Sequence, residues 1–283
     1  MLYSINQSTA VIATLADWSS AFDRIDQTMT IKKFIKLGVR PSLIQILISY
    51  ISERKMKVKA NGVVSSVRSL VGGGPAGTLL GQLFYIAASD DCALVVSDED
   101  KFKYIDDLNL LELILLSELL VEYNILEHVP SDVSIGDKFL PANATKTQGY
   151  ISEIAEWTTD NKMLLNEDKS KYIVFKKTFE NFCTRFTMNE QLLGRVSEAK
   201  ILGVWFNEKL DWSTNTNEIC KTAYQRISML TKLKYVRTSK SDLIEIYCSM
   251  IRSVLEYCSS LFQSTLTAQQ SDQIERVRKT CLK

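Results

Sequence analysis

Residues 101–113 read KFKYIDDLNLLEL. Phe102 and Tyr104 alternate with Lys101 and Lys103, the pattern breaks at Asp106-Asp107, and leucines resume at 108, 110, 111 and 113. A period of two marks a strand with one sheltered face, and aspartate suits a tight turn, so the stretch predicts strand, acidic turn, strand. A second acid stands at the end of AVIATLA, residues 10–16, an apolar run of strand length that stops at Asp17. Two strands tipped with carboxylates make an α+β core the natural reading, because strand ends hold acids rigidly.

Working outward, MTIKKFIKLG (29–38) places Ile31, Phe34, Ile35 and Leu37 at helical spacing before Gly38, and PSLIQILISYISERK (41–55) does the same after a proline suited to a first turn. MKVKANGVVSS (56–66) alternates up to Asn61-Gly62, the signal of a hairpin. VGGGPAGTLLGQLFYIAASDDCALVV (71–96) is a glycine-rich loop followed by an apolar helix. After a loose stretch from 128 to 149, ISEIAEWTTDNKMLLNEDKSKYIVFKK (151–177) predicts an amphipathic helix and then a strand at KYIVF. RFTMNEQLL and AKILGVWF read as further strands, and from Asn217 onward the spacing is helical.

Composition narrows the class. The 283 residues are 46% hydrophobic and 24% charged, enough for one or two cores, and the 4 prolines and 11 glycines mark no linker or low-complexity tail. The net charge of +1 neither announces nor excludes a nucleic-acid partner. Its distribution says more: residues 101–160 carry a net of −7 and residues 221–283 a net of +6. An acidic middle fits a metal site and a basic end fits a phosphate-gripping surface, although either also fits a solvated face. The six cysteines, at 92, 183, 220, 248, 258 and 281, form no metal-binding spacing and read as reduced, mostly buried thiols. His128, the only histidine, reads as a loop residue. With no signal-peptide pattern and no apolar run of ~18 residues, the expectation is an intracellular protein of cytoplasm or nucleus, neither secreted nor in a membrane.

Taken singly, each acidic fragment also fits a plain turn. The ordered set says more, because it closely resembles the reverse transcriptases of non-LTR retrotransposons over nearly the whole chain. ADWSSAFDRID (16–26) resembles that family's first palm motif, GGGPAGTLLGQLF (72–84) its glycine-rich motif, and FKYIDDL (102–108) its Tyr-x-Asp-Asp motif. NKMLLNEDKSKYIVF (161–175) is similar to the Asn and Lys motif that follows, and AKILGVWFNEKLDW (199–212) to the Leu-Gly primer-grip strand pair. ISMLTKLKYV and IYCSMIRSVLEYCSSLF are similar to thumb helices.

The resemblance implies a right-hand polymerase architecture: a palm at 1–212, an antiparallel sheet backed by helices with residual fingers elements, then a basic, mostly helical thumb at 213–283. It implies an RNA-directed DNA polymerase from a transposable element, a nucleotidyltransferase that adds dNTPs to a DNA primer on an RNA template with two Mg2+ (or Mn2+) ions. Asp17, Asp106 and Asp107 would bind the ions, with the Trp18 carbonyl completing one shell. Phe22 would be the steric gate against a ribose 2′-hydroxyl, or simply a core aromatic. Gly74, Pro75, Ala76 and Gly77 would line the nucleotide. Lys169 would act as general acid or charge stabiliser for pyrophosphate, with a solvated lysine as the plain alternative. Leu202 and Gly203 would hold the primer terminus, and Lys221, Arg226, Lys232 and Lys234 would follow the nucleic-acid backbone.

Two departures accompany the match. Ala76 stands where the family has a glutamine that reaches the nucleotide. Little precedes Asp17, and nothing there is basic, so the expectation is a chain lacking most of its fingers and cut short at both ends. The alternative functional reading is an inactive retroelement remnant that at most binds nucleic acid; an interaction scaffold without nucleic acid leaves the motif order unexplained.

Overall fold

The computed structural model describes residues 9–94, 96–115, 138–139, 145–176 and 182–281. The fold is mixed α/β, in two compact units, Met1–Arg195 and Val196–Lys283. His128 lies outside the described residues.

In the first unit β1 (Thr9–Ala16) is the middle strand of a five-stranded sheet. On one side it pairs antiparallel with β3 (Asp107–Leu115), which pairs in turn with β2 (Lys101–Tyr104). On the other it pairs antiparallel with β4 (Lys171–Lys176), flanked by the short parallel strand β5 (Gly194–Arg195). Ala10, Val11, Ile12 and Ala13 are all buried. That explains the largely apolar run: a central strand covered on both faces does not alternate with solvent-facing polar residues, and its one interior polar residue, Thr14, is itself buried. Tyr172, Ile173, Val174 and Phe175 make β4 equally buried.

Among the described residues, four helices complete this unit. α1 (Gln27–Lys36) starts where Asp26 accepts from the Met29 N–H at 2.9 Å, and α2 (Pro41–Ile51) starts on its proline. α3 (Leu79–Ala88) is capped by the Thr78 hydroxyl. α4 (Lys146–Asn161) begins against β3, where the buried Glu112 carboxylate accepts from the backbone N–H groups of Lys146 at 2.8 Å and Thr147 at 2.9 Å. An anion on those orphan donors is favoured by the helix dipole, so it ties helix to sheet. α4 sends Ile151 and Ile154 into the core that also holds Ile12, Trp18, Tyr85 and Leu110. Between α2 and α3 a two-stranded ribbon pairs Lys55–Met56 with Arg68–Ser69 and Lys59–Ala60 with Val63–Val64, turning at Asn61 (φ 51°) and Gly62 (φ 80°).

A polar staple joins three helices. The mostly buried Lys33 of α1 donates to the Ala88 carbonyl at 2.6 Å, to Asp91 Oδ1 at 2.6 Å and to Asn161 Oδ1 at 2.7 Å, and its ammonium sits 5.2 Å from the Trp157 ring centroid. Trp157 Nε1 donates to the same Asp91 oxygen at 2.8 Å. All three ammonium protons are used, which is the condition for sheltering a charge.

The second unit opens with the hairpin β6 (Glu198–Ile201) and β7 (Val204–Asn207). The long α5 (Ser213–Tyr235) follows, then α6 (Lys240–Ile246), a π-helical segment Tyr247–Arg252, α7 (Ser253–Glu256), α8 (Ser259–Phe262) and α9 (Ala268–Cys281). Cys220, Ala223, Ile251, Leu255 and Val277 form one core, and Val204, Trp212 and Phe262 a second beneath the hairpin. The expectation of mostly buried thiols is only partly met: Cys92 and Cys220 are buried and Cys281 half-buried, but Cys248 and Cys258 are exposed.

Burial pushes the Asp91 carboxyl up, yet the hydrogen bonds from Lys33 and Trp157 outweigh it and hold the pKa below the ordinary carboxylate value of 3.8. A depressed carboxylate stabilises the fold above its unfolded pKa and loses that contribution as pH falls through the folded one. Asp91→Ala should therefore lower Tm at pH 7 by an amount corresponding to about 2 kcal/mol, and the gap to the parent should close below the ordinary carboxylate pKa. Paired melts at neutral and acid pH check both parts.

Candidate functional site

The site is built by strand register. β1 pairs β3 with Ala16 opposite Leu108, so one further step sets Asp17 opposite Asp107. β1 pairs β4 with Leu15 opposite Lys171, so two further steps bring Asp17 level with Lys169. The chain continues this zipper beyond the strands. The Asp17 N–H donates to the buried Ser170 hydroxyl at 3.0 Å, and the Asp17 carbonyl accepts from the Asn166 N–H at 2.9 Å. Trp18 bridges Leu165, and Ser19 N–H donates to the Leu164 carbonyl at 2.9 Å. Those two bridging bonds run through Asp17 and Ser19 and do not engage the Trp18 carbonyl. Lys169 Nζ lies 3.9 Å from Asp17 Oδ2, with both side chains well exposed, a screened pair of small energetic worth. Apart from it, Asp17 Oδ2 has no hydrogen-bond partner among the described residues.

Asp106 sits in the two-residue turn between β2 and β3, and its neighbour Ile105 has φ 54°. A β-branched residue in the left-handed region is strained, and strain of this kind gathers at functional turns. Burial, then the charges of Asp106 and Asp17, raises the Asp107 carboxyl above its ordinary pKa. Tyr85 of α3 is fully buried, and its hydroxyl has no partner among the described residues. Burial foremost, with the Asp106 and Asp107 charges adding to it, pushes that phenol well above its ordinary range. The half-buried Phe22 ring lies 5.2 Å from the Tyr85 ring, so its packing and its place near the acids coexist.

The glycine-rich loop is laid on the backbone that follows Asp17. Gly74 N–H donates to the Phe22 carbonyl at 2.7 Å and Gly73 N–H to the Ile25 carbonyl at 3.0 Å. A Cβ on Gly74 would stand 2.7 Å from Ile25 Cδ1, and one on Gly73 (φ 77°) would stand 3.1 Å from the Asp23 carbonyl oxygen. The sharpest requirement is Gly81 in the first turn of α3, where a Cβ would stand 1.9 Å from the Pro75 carbonyl oxygen. Ala76 and Gly77 are exposed at the loop's tip.

Asp17, Phe22, Gly74, Tyr85, Asp107 and Lys169 thus meet in one unit from four separate stretches of sequence. Leu202, Gly203, Lys221, Arg226, Lys232 and Lys234 belong to the second unit. There Leu202 (φ 45°) and Gly203 (φ 88°) form the β6–β7 turn, the Tyr257 hydroxyl donates to the Leu202 carbonyl at 2.9 Å, and a Cβ on Gly203 would lie 3.1 Å from the Tyr257 ring. Lys221, Lys232 and Lys234 are exposed on α5, Lys221 bonding Glu218 at 3.2 Å. Arg226 instead turns inward and donates to the Met250 carbonyl at 2.5 Å, within the π-helical segment. Sequence reading missed Ser170, Tyr85, Gly81 and Tyr257. Only Gly81, a glycine inside an apolar helix, carried a visible signal.

Among the described residues no group of three or more His, Cys, Asp or Glu side chains is arranged to hold a metal ion. Nor is any helix among them long and apolar enough to cross a membrane.

No family model matches the chain. Over 262 residues, 89% of this chain, it is 24% identical to the RNA-directed DNA polymerase from mobile element jockey of Drosophila melanogaster, covering 26% of that protein. Over 248 residues it is 24% identical to the polymerase of the same name from Drosophila funebris, covering 25% of it. Over 226 residues it is 25% identical to the probable RNA-directed DNA polymerase from transposon BS of Drosophila melanogaster, covering 22%. The chain is related to the RNA-directed DNA polymerases of mobile elements. It spans about a quarter of the length of these relatives.

Two outcomes follow from the geometry. Gly81→Ala should leave the chain insoluble or lower its Tm by more than ten degrees, because backbone on both sides of the clash cannot yield; soluble yield and a melting curve decide it. Asp106→Asn should raise Tm slightly and bring the Asp107 carboxyl pKa down toward its ordinary value, since a neighbouring like charge is removed; carboxyl-carbon NMR titration reads the shift directly.

Proposed function

We propose that the chain is the polymerase core of a retrotransposon reverse transcriptase, the first unit forming most of the palm and the second its primer-grip hairpin and, from 213 to 283, the thumb, extending a DNA primer on an RNA template. One observation carries this reading: two antiparallel registers converge Asp17, Asp107 and Lys169, with Asp106 in the adjoining turn, at one end of one sheet.

The donor set fits hard divalent cations. Asp17, Asp106 and Asp107 offer carboxylate oxygens, Asp17 Oδ2 lacks a hydrogen-bond partner among the described residues, and burial first, then the charges of Asp106 and Asp17, raises the Asp107 carboxyl, costs that a cation would offset. Two Mg2+ (or Mn2+) ions held there would activate the primer 3′-hydroxyl and offset charge on the leaving pyrophosphate. Lys169, exposed and beside Asp17, would give the pyrophosphate a proton or a positive charge. Phe22, backed by Tyr85, provides a rigid ring against which a ribose 2′-hydroxyl would clash. The Gly74, Pro75, Ala76, Gly77 loop admits a nucleotide close to its backbone, Ala76 without a side-chain donor. In the second unit the Leu202–Gly203 turn, held by Tyr257, would bear on the primer end, and Lys221, Lys232 and Lys234 would face the duplex backbone.

A second reading, a remnant that binds nucleic acid without catalysis, is favoured by Ala76 and by carboxylates that are not gathered into a metal-holding group among the described residues. The two separate in one experiment. The polymerase predicts Mg2+-dependent extension of a DNA primer on RNA that falls at least about 100-fold in Asp106→Ala. No extension by the parent, with salt-sensitive duplex binding kept in both, would establish the remnant.

A further inference from the structure

From Arg54 to Ser89 the chain carries Arg54, Lys55, Lys57, Lys59 and Arg68 and not one aspartate or glutamate, in a protein whose net charge is +1. This charge is concentrated on the ribbon between α2 and α3. Every residue from Lys55 to Ser69 is exposed, including Met56, Val58, Val63, Val64 and Val67. Lys55, Lys57 and Lys59 alternate with Met56, Val58 and Ala60, a period that sets cations along one side of the strand and apolar groups along the other. A two-stranded hairpin with no face on a core is only marginally stable in water. Its sequence nevertheless specifies it closely: an Asn-Gly turn, a Ser65 hydroxyl accepting from the Val58 N–H at 2.9 Å, and a Ser65 N–H returning to the Val58 carbonyl at 2.9 Å. A solvated surface strand gains nothing from excluding every acid.

The ribbon's base is fixed to the candidate site. Leu70 N–H donates to the Arg54 carbonyl at 2.8 Å, and Arg54 Nη1 reaches the Gly73 carbonyl at 3.3 Å, on the loop that lies against Phe22 and Ile25. We propose that the 54–69 ribbon is a second nucleic-acid-binding surface, gripping the phosphates of a single strand as it passes the glycine-rich loop, with the exposed valines against its bases. The choice of nucleic acid over an acidic protein rests on the polymerase reading; the existence of the binding surface rests on the ribbon's own charge and exposure.

The full chain and its K55A/K57A/K59A variant are titrated by fluorescence anisotropy against a 5′-labelled single-stranded RNA over a range of salt. Three lost phosphate contacts should lower affinity at low salt by tenfold or more and reduce the slope of log affinity against log salt by about 2, with the circular-dichroism melt unaltered because all three lysines are exposed. K232A/K234A, measured alongside, should keep the ribbon's share of the slope. Equal affinity and slope in the triple variant, or no RNA binding by the parent, would overturn the inference, as would equal displacement of the RNA by polyglutamate at matched charge. Primer extension is scored separately. Extension absent while lysine-dependent RNA binding persists sinks the polymerase reading and leaves the ribbon standing; extension present with an unaltered triple variant does the reverse.

Discussion

β1 hydrogen-bonds to a strand on each side, and both registers must be right at once. Slipping either neighbour by one residue would mismatch the side chains packed on the sheet and carry its acid or lysine away from Asp17. Burial of Ala10 to Ala13 on both faces is what forbids the slip, since every alternative register exposes apolar surface or buries a charge. The hydrophobic pattern of one eight-residue strand therefore sets the spacing of carboxylates that lie about ninety positions apart in sequence.

Around that strand, local costs gather where chemistry is proposed, with the buried Thr14 hydroxyl of β1, unpartnered among the described residues, as an exception within the sheet. Ile105 takes a left-handed conformation, three carboxylates repel one another, and a buried tyrosine hydroxyl and an aspartate oxygen go without hydrogen-bond partners among the described residues. The Lys33 staple is the contrast, with all three ammonium protons matched. The same asymmetry appears in the second unit: Arg226 is spent on a backbone carbonyl of the π-helical segment, while the strained Leu202 turn is held from below by Tyr257 and leaves Leu202 exposed. Consistency in the support and inconsistency at the tips is the distribution expected when a scaffold holds a site that it does not itself need.

Charge follows a related division. Asp17, Asp106 and Asp107 meet at a sheet end, whereas Lys55, Lys57 and Lys59 lie on the exposed ribbon and Lys221, Lys232 and Lys234 on α5, places where a long side chain keeps its head in water. Net charge conceals this, because opposite patches cancel in the sum and not in space.

By itself the sequence determined that the fold combines strands and helices, and it marked the acid-tipped strands, the Asn-Gly hairpin, the glycine stop and proline start of the first two helices and the candidate acids. Each depends on periodicity or turn chemistry that is local and so is written in consecutive residues. Only the tertiary structure decided that Ser170 fastens Asp17, that Tyr85 lies behind Phe22 and beside the acids, that Gly81 must clear the Pro75 carbonyl, that Tyr257 supports the Leu202–Gly203 turn, and that Arg226 faces inward. Those facts are contacts between segments far apart in the chain. No spacing within a segment encodes them, because they arise from register and packing, which exist only once the strands have paired.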